Sequence, residues 1–442
     1  MKMTLRTTVA VLAAATITGL AGCSATPAPS AGTTTGTSSD PAEPVTLEFW
    51  SFYTGAEADF VTDWVKQYNE SQDAVTVNHT AVSQTEYTTT LIPTALANGS
   101  APDILYVEPA TFTKYAESGA LADLTPYYTD ALKADILPAV LDSATYDGKL
   151  LALPMELETL GLFYDEKLLA AEGISVPKTW DELQSAAAKL TTSDRYGLVL
   201  PVEDSGYTLF NFYPFMWMAG ADVTDSSGNY TVDSPQMAAA LDFWGSFTQD
   251  GSSPSALQIG PWDVGNIANG SAAMQESGSY AIKATEADYA DASISAAPLP
   301  APAGGASITV AGGQKLAVNA ASKHVAEAAD FIFAAYGSAD ITLASRGVTE
   351  AKFAYPARQS VIDANADVFD EGLRANFTAF YDTARPEPSY PSVVTDALRT
   401  ALQDVMFGGM SGADAAKKAQ AAIMAGGTPG PPAGCPTPPG GT

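Results

Sequence analysis

Residues 98–128 read NGSAPDILYVEPATFTKYAESGALADLTPYY, and at their centre Ile104 to Val107 follow one another without a charged or small polar residue. A short unbroken run of this kind is expected of a strand that is buried on both faces of a parallel sheet. Asn98 and Gly99, in front of the run, are typical of the end of a helix. The stretch therefore predicts a helix followed by a central strand of an α/β sheet.

The residues upstream extend this pattern towards the N-terminus. VTLEFW at 45–50 alternates as a strand with one buried face, and apolar side chains at helical spacing fill 60–68. AVTVNHTAV at 74–82 predicts a second strand, and 87–99 predicts a helix that Pro93 kinks or restarts. The order strand, helix, strand, helix, strand indicates an α/β unit with right-handed crossovers.

A second set of α/β elements begins near residue 155. Thr179 and Glu182 have the spacing of a capping box, which makes Thr179 the expected N-cap of a helix. Ser234 is the expected N-cap of another helix, with Pro235 at its first position. The remaining predicted elements are strands at 196–202, 294–297 and 315–320 and a helix that opens at Ser322.

Length and charge limit the possible functions. The chain has 442 residues, 46% hydrophobic side chains and a formal net charge of −29. It is longer than one ordinary core requires, so two domains are expected. The acidity argues against binding to nucleic acid or directly to anionic lipid, because both require basic surfaces. After the first 22 residues, no segment reaches the roughly 18 apolar residues of a membrane helix.

The first 23 residues resemble a lipoprotein signal. Lys2 and Arg6 precede the apolar run TVAVLAAATITGLAG, and residues 20–23, LAGC, are similar to the lipobox of bacterial lipoproteins. The resemblance implies a signal peptide at 1–22 and a diacylglycerol on the thiol of Cys23. The alternative is an ordinary secretory signal with an incidental cysteine. Once Cys23 is lipidated, Cys435 has no partner for an intrachain disulfide.

Low-complexity segments flank the predicted folded region. Residues 23–44 are rich in Thr, Ser and Pro and predict a flexible tether behind the lipidated cysteine. Residues 426–442 are rich in Pro and Gly and predict a disordered tail.

The region from 45 to 423 resembles a known family, the maltose-binding-protein-like (family 1) extracellular solute-binding proteins of bacterial ABC sugar importers. No single stretch is specific, but the order of the stretches is. The stretches that carry the resemblance are 98–128, 146–183, 269–281, 312–336, 355–361 and 397–423.

This resemblance implies an α/β, two-lobe periplasmic-binding-protein-like fold with a central cleft and a multi-strand hinge. Lobe I would comprise 45–153 plus 312–358, and lobe II 154–311 plus 359–425. Ligand would lie in the cleft, where the carboxyl ends of two sets of strands meet. The implied partners are a carbohydrate, an oligosaccharide above all, and the permease of an ABC transporter. We further expect a monomer on the outer face of the cytoplasmic membrane, held by lipid alone, without cofactor, metal or enzymatic activity.

Candidate ligand contacts follow from the chemistry of sugars, which present apolar faces to aromatic rings and hydroxyls to carboxylates and amides. Several candidates have structural alternatives: Trp50 and Tyr280 can belong to a core, Glu108 can be a solvated loop residue, and Arg358 can pair with acidic residues. The candidates are Trp50, Phe52, Glu108, Glu156, Glu158, Phe210, Asn211, Trp217, Trp262, Tyr280, Gly312, Gly313 and Arg358.

Two other functions remain open at this point. The acidity also suits a binding protein for a polyamine or a metal complex. Glu156 and Glu158, two residues apart on an extended segment, face the same way and could form the acid/base pair of a secreted glycoside hydrolase. His79 and His324 do not lie near a nucleophile motif, which disfavours a Ser/His/Asp triad.

Overall fold

A computed structural model describes residues 44–53 and 55–426 of the chain. The predicted lipidation site at Cys23, most of the tether and nearly all of the Pro/Gly-rich tail lie outside these residues. Strands and helices alternate from residue 45 to residue 117, as the sequence pattern predicts.

The strands are short, and most have between two and seven residues. They are β1 (Val45–Ser51), β2 (Val75–Ala81), β3 (Ile104–Val107), β4 (Thr145–Tyr146), β5 (Lys149–Leu150), β6 (Leu153–Pro154), β7 (Glu156–Leu157), β8 (Leu160–Asp165), β9 (Tyr196–Val199), β10 (Ala272–Gly278), β11 (Ile294–Ala297), β12 (Thr309–Ala311), β13 (Lys315–Val318), β14 (Tyr355–Pro356) and β15 (Ala384–Pro386).

The α-helices vary from single turns to helices of more than four turns. They are α1 (Gly55–Ser71), α2 (Gln84–Glu86), α3 (Ile92–Asn98), α4 (Pro109–Glu117), α5 (Asp130–Asp135), α6 (Pro138–Ser143), α7 (Glu166–Ala171), α8 (Trp180–Leu190), α9 (Gly206–Met218), α10 (Pro235–Gln249), α11 (Gly265–Ala268), α12 (Ile282–Ala287), α13 (Val325–Ile332), α14 (Thr342–Arg346), α15 (Gln359–Ala364), α16 (Gly372–Phe380), α17 (Ser392–Met406) and α18 (Gly412–Ala425).

Two sheets organise the chain. The first has the strand order β2-β1-β3-β13-β6, in which β1 is parallel to β2 and β3, while β13 is antiparallel to β3 and β6. The second has the order β11-β8-β10-β9, with β8 antiparallel to both of its neighbours and β9 parallel to β10. The strand β3, predicted from its apolar run, is completely buried at the centre of the first sheet. The fold is therefore mixed α/β with two separate sheets.

The segments that run between the sheets are hydrogen-bonded to each other. The backbone N–H of Glu158 donates to Gly312 at 2.5 Å, and that of Gly312 donates back to Glu158 at 3.1 Å. Beside them β14 pairs antiparallel with β7. These bonds connect the segments in which the family resemblance places the hinge. The predicted lobe boundaries remain predictions.

Each sheet has its own hydrophobic core. The first core draws its buried residues from 47–155 and 316–361. The second sheet is covered by two clusters, one from 160–310 and 394–423, the other including residues 353–380. Phe353 belongs to the latter cluster although it lies in sequence close to the first core. Because each sheet buries its own apolar face, the two cores remain separate, and a space is left between the two sheets.

Local rules predicted several helix ends correctly. Thr179 caps α8 through a capping box with Glu182, and Ser234 caps α10, as expected. Pro93 lies at the start of α3, so it restarts the helix. The prediction at Ser322 is wrong: α13 begins at Val325, because the Ser322 hydroxyl accepts the backbone N–H of His324 in a turn before the helix.

The length and apolarity of the helices decide whether any of them could cross a membrane. Within residues 44–53 and 55–426, none combines the length and apolarity that crossing a bilayer requires.

Candidate functional site

A cleft of about 570 Å³ lies between the two sheets. Its walls come from the loops behind β1 and β3, from the start of α9, from the 262–263 loop, from α12 and from the crossing segments. The volume falls in the range of small-molecule binding sites. The cleft is therefore the candidate ligand site.

Aromatic rings form the wall on the side of the second sheet. Tyr207 and Phe210 lie three residues apart in the first turns of α9, so both face the cleft. Trp262 and Tyr280 complete this wall, and their rings lie 5.9 Å and 6.2 Å from that of Tyr207. The hydroxyls of Tyr207 and Tyr280 are hydrogen-bonded to each other. This arrangement presents several ring faces and edges to one space, as binding of a sugar ring requires.

A buried amide holds Trp262 in place. Gln275 on β10 is completely buried, and its Nε2 donates to the carbonyl oxygens of Pro261 at 2.8 Å and Asp263 at 3.0 Å. Asn266 donates in turn to Gln275 Oε1 at 3.2 Å. Since both neighbours of Trp262 are bound to the second sheet, the loop is positioned by the core beneath it and not by solvent-exposed contacts.

A buried ion cluster forms the floor of the cleft. Lys352 Nζ lies 2.6 Å from Glu156 Oε1 and 2.5 Å from Glu158 Oε1, and Glu57 Oε1 is 3.9 Å away. The hydroxyl of Tyr53 donates to Glu156 at 3.0 Å, and the ammonium lies 4.8 Å from the centre of the Tyr53 ring. Glu156 and Glu158 thus face the same way, as their spacing predicts. Glu158 reaches the cleft, while Glu156 is enclosed beneath it.

Burial disfavours the charged forms of the side chains in this cluster, whereas their ion pairs with one another favour those forms. Burial raises the pKa of Glu158 to about 7, with Lys352 lowering it and Glu156 raising it. Burial also raises the pKa of Glu57 to about 8 against the same lysine. Burial alone would lower the pKa of Lys352, but its carboxylate neighbours outweigh this and raise that pKa above its usual value. Lys352 is therefore a permanent cation that keeps acidic side chains at the cleft floor.

Glu108 and Glu387 form a second group of carboxyls in the lining of the cleft. Glu108 directly follows β3, and Gln84 Nε2 lies 3.4 Å from its Oε2. Glu387 follows β15 and is 6% exposed. Burial raises the pKa of Glu108 to about 7 and that of Glu387 to about 8, and Lys315 opposes the second shift.

Two glycines allow the backbone to close around these carboxyls. A Cβ on Gly313 would collide with the carbonyl oxygen of Glu156, and one on Gly312 would collide with the Glu387 carboxyl and the Phe210 ring. Gly313 lines the cleft, and Gly312 lines a smaller cavity of about 150 Å³ behind it. The close approach explains why two glycines occur together at this crossing.

Seven of the residues predicted as ligand contacts are brought together around the cleft: Phe52, Glu108, Glu158, Phe210, Trp262, Tyr280 and Gly313. Their direct contact with a ligand remains a prediction. The other six, described next, lie elsewhere in the structure.

Trp50 packs against the first core, and the oxygen that it offers to Tyr87 is its backbone carbonyl. Trp217 lies ten residues after Tyr207, which is about 15 Å further along α9. It is buried in the second core with its ring stacked on Tyr213 and with Arg385 4.4 Å from the ring centre. Asn211 is also buried, and its amide donates to the Tyr207 carbonyl at 2.7 Å. These three residues support the walls from behind.

Arg358 is held within the first half of the structure. Its guanidinium binds Asp135 at 2.7 Å and the carbonyl oxygens of Tyr336 and Ser338 at 2.9 Å and 2.7 Å. The sequence left open that Arg358 pairs with an acidic residue, and the structure contains this pair. Glu156 and Gly312, the other two residues outside the lining, lie directly behind the cleft floor.

Sequence reasoning missed Lys352, Glu387 and Tyr207. Lys352 interrupts the apolar stretch around Phe353, and a cation in such a run requires a buried partner, so a signal for it existed. Tyr207 lies three residues before the predicted Phe210 on the same helix face. Glu387 lies between two prolines, and no local pattern distinguishes it from a surface residue.

A protein site for a metal ion requires several ligating side chains around one point. No group of three His, Cys, Asp or Glu side chains in 44–53 and 55–426 is placed to hold a metal ion.

Two α/β halves around a ligand-sized cleft define the class of two-lobe binding proteins. Residues 63–373 match the model of the bacterial extracellular solute-binding protein family, and the chain belongs to that family. A probable ABC transporter-binding protein of Deinococcus radiodurans is 30% identical over 208 residues, 44% of this chain and 49% of the relative. The chain thus spans about half the length of that relative.

Solved structures with the same fold include two binding proteins with ligand. The GacH receptor of Streptomyces glaucescens, determined without ligand and with acarbose, is 26% identical with a TM-score of 0.73, over 86% of this chain and 98% of the receptor. An ABC transporter solute-binding protein of Thermotoga lettingae with bound α-D-tagatose has a TM-score of 0.74 at 23% identity, over 86% and 98% of the two chains. The second similarity concerns the fold alone.

Proposed function

We propose that this protein binds a carbohydrate, an oligosaccharide above all, outside the cell and delivers it to the permease of an ABC transporter. The observation that carries the proposal is the composition of the cleft. Tyr207, Phe210, Trp262 and Tyr280 form one wall, and carboxyl and amide groups line the same cleft. Rings that stack on apolar sugar faces and acceptors for sugar hydroxyls are the two requirements of carbohydrate binding. The acarbose complex of the GacH receptor adds support.

Thermal unfolding with and without saccharides tests the proposal. A ligand at 100 times its Kd stabilises the folded protein by about 2.7 kcal/mol, which a melting-temperature screen of mono- and oligosaccharides detects. Isothermal titration calorimetry then gives the affinity of each positive sugar. If no saccharide stabilises the protein while a polyamine or a chelated metal does, the carbohydrate proposal is wrong.

Hydrolysis is the competing function that Glu156 and Glu158 suggested. In the structure both carboxyls hold the same ammonium, and Glu156 is also bound to Tyr53 beneath the cleft. This geometry supports binding without catalysis, because an acid/base pair must flank the scissile bond. Chromatography of an incubated oligosaccharide should return it unchanged. Shortened products that disappear in Glu158→Gln would indicate a glycoside hydrolase.

The position of the cleft supports closure upon ligand. The rings come from the second sheet and most acceptors from the first sheet and the crossing segments, so a sugar would connect both halves. Hinge bending at the crossing segments would complete the site. Small-angle scattering with and without saturating sugar should show a smaller radius of gyration with ligand, and an unchanged radius would contradict closure.

The location belongs to the same proposal. Lipidation at Cys23 would hold the monomer on the outer face of the cytoplasmic membrane, with 24–44 as the tether, and two or more acyl chains are enough for stable anchoring. Cys23→Ala should release the protein into the medium or leave an unprocessed precursor. Membrane retention equal to that of the wild type would contradict the lipid anchor.

A further inference from the structure

The carboxyl groups of the cleft outnumber its cations. Among the described residues that line it, seven side chains are Asp or Glu and two are Lys. Lys352 is already bound to Glu156 and Glu158, and the other lysine, Lys283, is a half-buried residue of α12. A neutral sugar would leave this excess of negative groups without a counterion.

Glu108 and Glu387 are two of these cleft carboxyls. Neither is within ion-pair distance of a cation among the residues that the structure describes. The polar contact of Glu108 is the 3.4 Å approach of Gln84. Glu387 is 94% buried, since 6% is exposed, and its Oε2 has no hydrogen-bond partner in the described chain. Glu387 lines the cleft, and a buried carboxyl with an unpartnered oxygen is costly unless a ligand supplies the partner.

The surroundings show why protein groups do not satisfy these two carboxyls. Lys315 influences the pKa of Glu387, but its Nζ is directed to the Gly313 carbonyl at 3.4 Å. The other charged and titratable groups near Glu387 are Glu108, Glu158 and Tyr213, all acidic. Glu108 is affected by Arg399 from the second half of the chain and lies near the phenols of Tyr87 and Tyr115.

We propose that the ligand is a saccharide that carries a positively charged amino group, and that the carboxylates of Glu108 and Glu387 bind this group. The inference rests on the proposed carbohydrate function and names its substrate class. An ammonium has three donors and one positive charge, so it supplies partners for both carboxylates at once. The aromatic wall with Tyr280 receives the sugar ring. A linear polyamine would leave this wall without a contact.

Proton release accompanies binding in this arrangement. With pKa values of about 7 and about 8, Glu108 and Glu387 are partly protonated at pH 7 before the ligand enters. A bound cation favours the ionised carboxylates, so binding of the protonated amine releases the protons of these carboxyls to the buffer. Titration calorimetry in two buffers with different ionisation enthalpies measures the released protons.

The decisive experiment compares matched sugars that differ only in their amino groups, one in each monosaccharide and three in each trimer. The probes are glucosamine with glucose, galactosamine with galactose, and the trimer of β-1,4-linked glucosamine with cellotriose and with tri-N-acetylchitotriose, each titrated into the wild-type protein. The amine member of at least one pair should bind about tenfold more tightly than its hydroxyl partner, the size expected of a charged hydrogen bond. That preference should shrink about tenfold in Glu387→Gln and in Glu108→Gln.

Matched controls keep the result interpretable. Glu70→Gln removes an exposed carboxyl of α1 outside the cleft and should keep the wild-type preference. Glutamine has the shape of glutamate, and wild-type melting temperatures verify that both cleft variants fold. Tighter binding of a neutral sugar than of its amine overturns this inference and leaves the proposed function standing. Binding of spermidine without any saccharide overturns both, and a preference that persists in both cleft variants overturns the assignment to Glu108 and Glu387.

Discussion

Replacing Lys352 by methionine tests the ion cluster at the cleft floor. Methionine keeps the length of the side chain and removes its charge, which leaves Glu57, Glu156 and Glu158 without their common cation. One pair of unit charges at 4 Å is worth about 4 kcal/mol at an effective dielectric constant of 20. Breaking a buried pair costs about 3–5 kcal/mol after desolvation is included. We expect Lys352→Met to lose about this free energy of unfolding at pH 8.

The loss should depend on pH in a defined direction. The folded pKa of Glu158 is about 7, above its ordinary value of 4.5, so the folded chain keeps a proton that the unfolded chain has released. This group makes the folded protein less stable as pH rises between those two values. Lys352 lowers the pKa of Glu158 and Glu57, so both values rise when this lysine is removed. The pH range over which the folded protein loses stability then extends to higher pH. At pH 5 the carboxyls take up protons, and the loss should fall to less than half of its value at pH 8.

Urea unfolding of the ligand-free protein at both pH values measures the effect. Lys149→Met is the matched control, because this lysine has a 60% exposed side chain and lies 3.9 Å from Asp123 on the surface. Its removal should change stability by less than about 0.5 kcal/mol at either pH. An equal loss for Lys352→Met at pH 5 and pH 8, or a loss under about 1 kcal/mol at pH 8, would refute the role assigned to the cluster.

Three further changes test other parts of the molecule. Tyr280→Ala should weaken binding of the cognate sugar by about 1–3 kcal/mol in calorimetry, because a stacking ring is lost, and unchanged affinity would remove Tyr280 from the site. Thr179→Ala should lower the free energy of unfolding by about 1 kcal/mol in urea because it breaks the capping box of α8, whereas exposed Thr90→Ala should not. Gly313→Ala should lower the free energy of unfolding by about 1–3 kcal/mol, because the added Cβ collides with the backbone of Glu156. An unfolding midpoint equal to that of the wild type would mean that the crossing segments can shift to accept the methyl group.

The sequence by itself determined the α/β class, the positions of some strands and helices, and part of the site. The apolar run of β3 became the central strand, and Thr179, Ser234 and Pro93 act at helix ends as local rules require. The order of the six stretches that carry the family resemblance indicated the family from the sequence alone. These properties follow from residues within a few positions of one another, where spacing alone decides which face or end a side chain occupies.

Only the tertiary structure decided how distant residues share the cleft. Lys352 is 194 positions from Glu158 in sequence, and Arg358 is 223 positions from Asp135. No periodicity indicates that the first pair forms the cleft floor while the second holds one half together. Trp217 shares a helix with Tyr207, yet the length of α9 carries it into the core. The packing of whole sheets and helices decides which distant residues contact each other. The carboxyls that remain without partners at the cleft can therefore be recognised only from the tertiary structure.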